Sequence, residues 1–337
     1  MAGNTDRYPR FEDLPLRKGD PPFSSWGLWG VDDQVGTINH LTPEVVRKAA
    51  REITSGNRFS LNWPLNTPKT PGFQRSSPDE QFRHELCRLN PQVLAFDDRV
   101  SFNTQVSTQV DGLRHFAYQD ARLFYNGHNE QSILAPGSTL LGTHHWHTKG
   151  GLVGRGVLID FWSYAQRHQG KGYDPCAIPS QAITFDDIMA CFHEQQQLST
   201  TDLLLHKGDM IIFRMGYVKQ YERLTPEEER DLSTRSIPET CGISQDERML
   251  KFLWDHRVSF VGSDTPAWEK LPPVPGASFL YHEVLIAGWG CPIGEMLVLD
   301  ELAEACLDNR KWTFFLSSAP LNVPGGVASP ANIIAIL

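Results

Sequence analysis

The sequence has 337 residues and a formal charge of −9, from 31 Lys and Arg residues against 40 Asp and Glu residues. This surplus of carboxylates disfavours nucleic acids and acidic membranes as partners, because both bind basic surfaces. With 40% hydrophobic and 21% charged residues the composition is that of a globular protein, which excludes disorder over most of the chain.

Several features favour a cytoplasmic location. No apolar run approaches the roughly 18 residues that a membrane-spanning helix needs. The first residues, MAGNTDRYPRFEDLP, lack the apolar core of a secretory signal. The six cysteines lie far apart, which fits reduced thiols better than a disulfide framework.

The N-terminal third is predicted to be mostly irregular. Residues 1–25 are rich in Pro, Arg and Asp, which predicts an extended arm that packs on the body or reaches a neighbouring subunit. No linker divides residues 26–337, so we expect a single domain there. Thr42-Pro43-Glu44 favours the start of a helix that Gly56 ends. Residues 63–100 carry prolines and mixed charges and predict loops with short strands.

From residue 151 onward, apolar runs alternate with helical patterns, which predicts an α/β fold. Thr184 caps one predicted helix and the box Ser244-Gln-Asp-Glu247 opens another, since these side chains satisfy free amides at a helix N-terminus. The predicted elements are strands at 156–162, 210–214, 258–261 and 312–316 and helices at 184–196, 244–256, 282–289 and 295–307.

Three common catalytic motifs do not occur in the sequence. They are the phosphate loop G-x-x-x-x-G-K-[ST], the nucleophile elbow G-x-S-x-G and the zinc helix H-E-x-x-H. Their absence argues against a phosphate-loop nucleotide enzyme, an elbow-type serine hydrolase and a metallopeptidase of the H-E-x-x-H type.

The most informative stretch is residues 105–116, QVSTQVDGLRHF. Alternate side chains of an extended strand share one face. One face of this stretch then carries Gln105, Ser107, Gln109 and Asp111. Gly112 permits a bend that returns His115 toward the same space. The alternative interpretation is a solvent-facing strand followed by a loop histidine.

Two later segments are further candidates. His282 and Glu295 flank the glycine-rich segment 287–294, which would let both side chains enter one cavity. Helix capping by Glu295 and a structurally satisfied histidine are the alternative. Asp264 follows a predicted strand directly, where α/β folds place ligand-binding loops, although an Asx turn explains it equally well.

Taken together, these residues resemble the cyclase family, the metal-dependent group that includes bacterial kynurenine formamidase and isatin hydrolase, and more closely its fungal and bacterial branch. The family motif H-x-G-T-H-x-D-x-P-x-H-F stands here as Q-V-S-T-Q-V-D-G-L-R-H-F at 105–116. Further blocks occur in family order across most of the chain: GTINHLTP at 36–43, GRGVLID at 154–160, GDMIIFRMG at 208–216, GSDTP at 262–266 and PLNVPGG at 320–326.

The resemblance implies a divalent metal site. Its ligand positions fall on Gln105, Gln109, Asp111, His282 and Glu295, with glutamines where the family motif has histidines. Because this set is mostly oxygen, we expect Mn²⁺ to be favoured over Zn²⁺ or Mg²⁺. The resemblance also implies a proton-handling role for His115, with Asp111 and Glu295 as its catalytic partners.

The resemblance further implies the remaining expectations. The fold is a single α/β domain with a curved mixed β-sheet of the swivelling β/β/α type surrounded by helices, assembled as a homodimer or homotetramer. A small-molecule substrate is expected to contact Arg114, Phe116, Tyr118 and Asp264.

The expected activity is that of a metal-dependent hydrolase that opens a cyclic or aryl amide, ester or lactone. Two alternatives stay open. One is a metal-free or weakly metal-assisted cyclase or dehydratase that uses His115 with Asp111 and Glu295. The other is a ligand-binding protein that has lost catalysis.

Overall fold

The structure, a computed structural model, describes residues 8–75, 77, 79–168, 172–235 and 238–337. Within these ranges the strands are β1 (Arg58–Ser60), β2 (Arg83–Asn90), β3 (Val93–Ser101), β4 (Gln109–Asp111), β5 (Leu152–Ile159), β6 (Ala182–Ile183), β7 (Met210–Phe213), β8 (Gly242–Ile243), β9 (Phe260–Ser263), β10 (Ile293–Glu295), β11 (Thr313–Ser318), β12 (Ala328–Pro330) and β13 (Ile333–Ile336). The α-helices are α1 (Pro43–Ala49), α2 (Glu130–Leu134), α3 (Phe161–His168), α4 (Phe185–Leu198), α5 (Tyr217–Tyr221), α6 (Pro226–Ser233), α7 (Glu247–Asp255) and α8 (Asp300–Asn309), and a π-helix spans Glu283–Trp289.

Nine strands form one mixed sheet in the order β1-β13-β11-β5-β7-β9-β10-β4-β12. The strands β5, β7, β9 and β10 run parallel, and antiparallel strands extend the sheet on both sides. All four residues of β7, M-I-I-F, are buried, as is typical of a strand covered on both faces. The predicted α/β class is therefore confirmed.

Local capping explains where several helices begin. The hydroxyl of Thr184 accepts a bond from the Asp187 amide at 3.1 Å, as the sequence predicts for α4. The helix α7 is capped by Asp246, whose carboxylate accepts from the Arg248 amide at 2.8 Å, and not by Ser244. Ser244 is still extended, since its amide donates to the Ile183 carbonyl.

Several predicted elements differ from the structure. The strand predicted at 156–162 is β5, which ends at Ile159, and α3 begins at Phe161; the helix predicted to end at Gly56 ends at Ala49. The predicted helix at 295–307 is strand β10 at its start and helix α8 only from Asp300. The three residues of β10 are buried because they lie between β9 and β4 in the sheet. Glu295 therefore lies on a strand and does not cap a helix. The predicted helix at 282–289 is the π-helix.

Residues 83–101 form a long antiparallel hairpin, β2–β3, where the sequence predicts loops with short strands. Its two strands form a sheet of their own and bury almost nothing. Leu86 is 63% exposed and Leu94 is 83% exposed. Because neither face is covered by the body, the apolar alternation that marks a half-buried strand is missing from the sequence.

The described part of the N-terminal arm, residues 8–25, packs on the body of its own chain. The Trp254 indole donates to the Pro9 carbonyl at 2.9 Å, and the Trp289 indole donates to the Phe23 carbonyl at 2.8 Å. No helix among the described residues is long and apolar enough to cross a lipid bilayer.

Candidate active site

The site is built on the antiparallel pair β4–β10. Gln109 lies directly opposite Glu295, and Asp111 lies two residues further along β4, so the three side chains share one face. All three are buried, with exposed fractions between 0% and 2%. The amide of Gln109 donates to Oε2 of Glu295 at 2.6 Å. The strand pairing alone thus brings two carboxylates and one carboxamide together.

Gln105 reaches the same place from a turn. Only residues 109–111 are a strand, and residues 105–108 form turns, so the predicted common face does not extend to Ser107, whose hydroxyl donates to the Pro64 carbonyl at 3.1 Å. Gln105 donates from Nε2 to Asp111, and its Oε1 accepts from Gln109 at 2.8 Å. The nitrogen and the oxygen of the Gln105 side-chain amide are therefore both hydrogen-bonded, and Gln105 holds Asp111 and Gln109 in position.

His282 enters from the N-terminus of the π-helix and is oriented by Glu269. Its Nδ1 and its backbone amide both lie within hydrogen-bond distance of Glu269 Oε1, at 2.7 and 2.8 Å. The other oxygen of Glu269 accepts from the Tyr281 amide at 2.9 Å and from Gln245 at 2.7 Å. With Nδ1 bound in this way, Nε2 faces Glu295 Oε1 at 3.2 Å and Asp111 Oδ2 at 3.8 Å.

His115 is returned to the cluster by a tight turn. Its amide donates to the Gly112 carbonyl at 2.9 Å, and its Nε2 lies 3.5 Å from Asp111 Oδ2. Burial lowers the pKa of His115, although the charge of Asp111 acts in the opposite direction. The imidazole is therefore neutral near neutral pH and can accept a proton.

The buried charges of the cluster raise the pKa values of Glu295 and His282. Burial, with the charge of Asp111 added, raises the pKa of Glu295 to about 7. Burial alone would lower the pKa of His282, but its bonds to Glu269 and Glu295 hold it well above the usual value. A cluster of three carboxylates around one imidazolium lacks positive charge, which a bound cation would supply.

Two buried side-chain oxygens of this cluster, Gln109 Oε1 and Asp111 Oδ2, have no hydrogen-bond partner among the residues that the structure describes, while Glu295 Oε1 pairs with Nε2 of His282 at 3.2 Å. Leaving such atoms unpaired is costly. The donor atoms of Asp111, His115 and His282 also lie within 4.8 Å of one another. The residues therefore fit a divalent cation, with imidazole and oxygen donors.

A cleft of about 770 Å³, its open mouth included, leads to the cluster. Its wall includes His115, His282 and Glu295, together with Phe116, which packs on His282 with ring centroids 5.3 Å apart. Phe73, Arg75 and Glu269 also line it, and sequence reasoning missed all three. Phe73 and Arg75 lie in the region predicted as loops, where no periodic pattern marks a functional residue.

The other residues that the sequence predicts as substrate contacts form hydrogen bonds within the protein. Arg114 donates to the carbonyls of Leu140, Gly325 and Ser138, and so fastens two loops. The oxygens of Asp264 accept from the backbone amides of Met215 and Gly216 at 2.6 and 2.7 Å.

Neither Arg114 nor Asp264 is among the described residues that line the cleft. Tyr118 lines a neighbouring hollow beside His115, and its hydroxyl donates to the Pro22 carbonyl at 2.7 Å. Backbone groups bind the polar atoms of Arg114 and Asp264, and the predicted contacts of these two residues with a substrate stay predictions.

Comparison with known proteins assigns the fold and site to a class. The family model described as "Putative cyclase" matches residues 40–270. A crystal structure of a novel cyclase is 30% identical, with a TM-score of 0.77 over 93% of this chain and 99% of that chain. The chain belongs to the cyclase family, and the predicted curved mixed sheet of that family is confirmed.

Two more distant structures share the fold. Isatin hydrolase A from Labrenzia aggregata, bound to benzyl benzoate, is 17% identical with a TM-score of 0.54, over 89% of this chain and 98% of that chain. Isatin hydrolase A from Ralstonia solanacearum is 17% identical with a TM-score of 0.52, over 87% and 95% of the two chains. The comparison with curated proteins returned no significant match.

Proposed function

We propose that this protein is a metal-assisted hydrolase that opens a cyclic or aryl amide, ester or lactone. The observation that carries the proposal is the set of unpaired buried oxygens beside His282 at the end of the cleft. Isatin is a cyclic amide, so the activity named for the two distant structures supports the same reaction class.

Asp111, Glu295, His282 and Gln109 would hold the cation, since each has a donor atom that is unpaired or faces the others. A bound divalent cation polarises a carbonyl and lowers the pKa of a water molecule. Glu269 holds a proton of His282 on Nδ1, and a cation would take the place of the proton that Nε2 shares with Glu295 in the metal-free protein.

His115 is the proposed proton carrier. Its neutral imidazole accepts the proton released when water attacks the carbonyl carbon, and returns it to the leaving nitrogen or oxygen. Asp111, 3.5 Å from Nε2, stabilises the imidazolium that exists between these two transfers. Phe116 offers a ring face beside His282 on which a flat substrate can lie.

A second candidate is acid–base cyclisation or dehydration without a metal. It is favoured by the two glutamines, whose amide groups donate to Asp111 and Glu295 and so hold the carboxylates together without a cation. With its pKa raised to about 7 by burial, Glu295 can serve as the acid while His115 serves as the base.

The test is the metal content of protein purified without chelator, measured by elemental mass spectrometry. The variant Asp111→Asn is compared with Asp308→Asn, which changes an exposed aspartate. The proposal is supported if the wild type and Asp308→Asn contain near-stoichiometric manganese and hydrolyse isatin, phenyl acetate or dihydrocoumarin. Asp111→Asn must then have lost both the manganese and the hydrolysis. Protein that stays metal-free after addition of Mn²⁺, yet loses turnover in Asp111→Asn, supports the second candidate. Turnover that survives Asp111→Asn contradicts both.

We also infer that the chain acts in the cytoplasm as a homodimer or homotetramer. The support for self-association is the hairpin β2–β3, because a two-stranded ribbon is marginally stable alone and Leu86, Leu94 and Phe96 are left largely exposed on it. Sedimentation of the wild type and of Leu94→Glu with Phe96→Glu tests this inference. Equal sedimentation of the two proteins as monomers contradicts it.

A further inference from the structure

A second cavity adjoins the cleft. The two cavities share four wall residues, Phe73, Arg75, Gln105 and Pro266. Gln105 stands between them, since its side chain supports Asp111 on one side while the residue also lines the second cavity. The cleft and the second cavity are therefore immediate neighbours.

The residues that follow the cluster in the chain form part of this second compartment. Met296 follows Glu295 and Val106 follows Gln105, and both Met296 and Val106 line the second cavity while being 6% and 4% exposed. The backbone that carries Gln105 and Glu295 therefore contributes residues to both cavities.

Aromatic rings form the rest of the inner wall. Tyr217 and Tyr221 stack with ring centroids 5.7 Å apart, and Trp63 lies 5.5 Å from Tyr221. The Trp63 indole donates to Glu222 at 2.8 Å, which fixes its ring. We call this compartment, bounded by Trp63, Tyr217, Tyr221 and Met296, the aromatic slot.

The Tyr221 hydroxyl is buried and faces the carboxylate of Glu229. Burial and the hydrogen bond to that carboxylate raise the pKa of Tyr221, so the hydroxyl stays protonated. A buried aromatic wall is typical of a site for a flat, mainly apolar group.

We propose that the aromatic slot binds an aryl substituent of the substrate while the reacting carbonyl lies in the cleft beside His115. The substrate class is thereby narrowed to amides or esters that carry a second flat ring on the side opposite the bond that is cleaved. This inference rests on the proposed function for the position of the carbonyl. Arg75, at the junction, lies where the two parts of such a substrate meet.

The test measures binding, so that it is separate from turnover and from metal content. The probes are benzamide and 4-phenylbenzamide, which differ only by the second ring, and their affinities are measured by titration calorimetry. Leu232→Phe and Ser233→Phe each add a ring to the slot wall. Leu198→Phe makes the same change as the first variant at a 39% exposed position outside both cavities. Thermal melting shows which of the variants are folded.

We expect the wild type and Leu198→Phe to bind 4-phenylbenzamide at least about tenfold more tightly than benzamide. At least one folded slot variant is expected to lose that preference while its affinity for benzamide changes less than about twofold. Equal affinity of the wild type for both probes, absence of binding included, overturns the inference. A preference that persists in both slot variants also overturns it. Failure of the metal-content test leaves this result unaffected, so the two proposals fail separately.

Discussion

Gln109 and Glu295 lie directly opposite each other on β4 and β10, and the amide of Gln109 donates to Oε2 of Glu295 at 2.6 Å. The bond fixes one oxygen of the carboxylate and leaves Oε1 of Gln109 unpaired. The glutamine therefore orients the carboxylate and offers an oxygen to a cation, where a histidine would offer a ring nitrogen.

Replacing Gln109 by His should change the preferred metal. An imidazole nitrogen favours Zn²⁺ over Mn²⁺, so we expect the ratio of Zn²⁺ to Mn²⁺ affinity to rise by about tenfold in Gln109→His. Competitive titration calorimetry measures this ratio. Gln92→His, at an exposed position in the turn between β2 and β3, is the control. A ratio that stays at the wild-type value contradicts the assignment of Gln109 as a ligand.

Replacing Glu295 by Gln should separate stability from metal binding. Burial raises the pKa of Glu295 to about 7, so its charge destabilises the metal-free fold at pH 8. We expect the melting temperature of metal-free Glu295→Gln to rise by about 2 °C or more. Loss of a residue that only orients a metal ligand lowers metal affinity roughly 10- to 100-fold. The Mn²⁺ affinity of Glu295→Gln should fall by more than this, because Glu295 is itself a proposed ligand. Glu301→Gln on α8 should change neither quantity. A variant that keeps its Mn²⁺ affinity argues against the site.

Glu269 is predicted to act through His282. In Glu269 one oxygen accepts from Nδ1 and the amide of His282, and the other accepts from the Tyr281 amide. Glu269→Gln turns one of these two acceptors into a donor, so we expect His282 to lose its fixed orientation. We expect Mn²⁺ affinity to fall roughly 10- to 100-fold. The ¹⁵N shifts of the His282 ring should show a mixture of tautomers in the variant and one tautomer in the wild type. A single unchanged tautomer in the variant argues against this role, even if affinity falls.

The pH dependence of stability should contain a contribution from His40, away from the cluster. Burial, with Lys207 and Arg257 adding to it, lowers the pKa of His40 to about 3. The unfolded chain binds this proton near pH 6.5 and the folded chain does not, so stability is lost as pH falls from about 6.5 toward 3. The slope is at most about 1.4 kcal/mol per pH unit.

The variant His40→Gln tests this contribution. Its free energy of unfolding, measured by urea titration between pH 4 and pH 8, should fall less steeply with acid than that of the wild type. The substitution also removes the 3.2 Å hydrogen bond between His40 and the Tyr8 hydroxyl. Because that loss is the same at every pH, it shifts the whole curve and leaves its slope unchanged. Parallel curves for the two proteins would show that His40 is protonated in the folded state.

Arg114 should matter for stability and not for the metal. Arg114→Leu removes the donors of three backbone carbonyls, which we expect to cost about 2 to 4 kcal/mol in the free energy of unfolding. Arg99→Leu, on the exposed hairpin, is the matched control. Unchanged stability together with weaker binding of benzamide would instead support Arg114 as a substrate contact.

Most of the fold was predictable because its signals are local. The caps at Thr42 and Thr184 and the apolar run of β7 are read from neighbouring residues, and the structure has α1, α4 and β7 there. The helix predicted at 295–307 was wrong at its start because β10 has three residues and is defined by its neighbours in the sheet. No local pattern marks so short a strand.

The candidate site was predictable only in part. Asp111, His115, His282 and Glu295 lie together, and the family resemblance found them through motif positions. Their assignment as ligands and catalytic groups stays a prediction. Glu269 could not be found, because its importance lies in four hydrogen bonds made over tertiary contacts.

The pairing of β4 with β10 also has a consequence for how the protein folds. Gln109 and Glu295 are 186 residues apart in the chain, and β4 has no sheet neighbours other than β10 and β12. Closing so long a loop is entropically costly, and contacts of this kind slow folding. We therefore expect Asp111 to join the sheet only when residues 293–330 are in place, and the cluster to form after the parallel strands that support it.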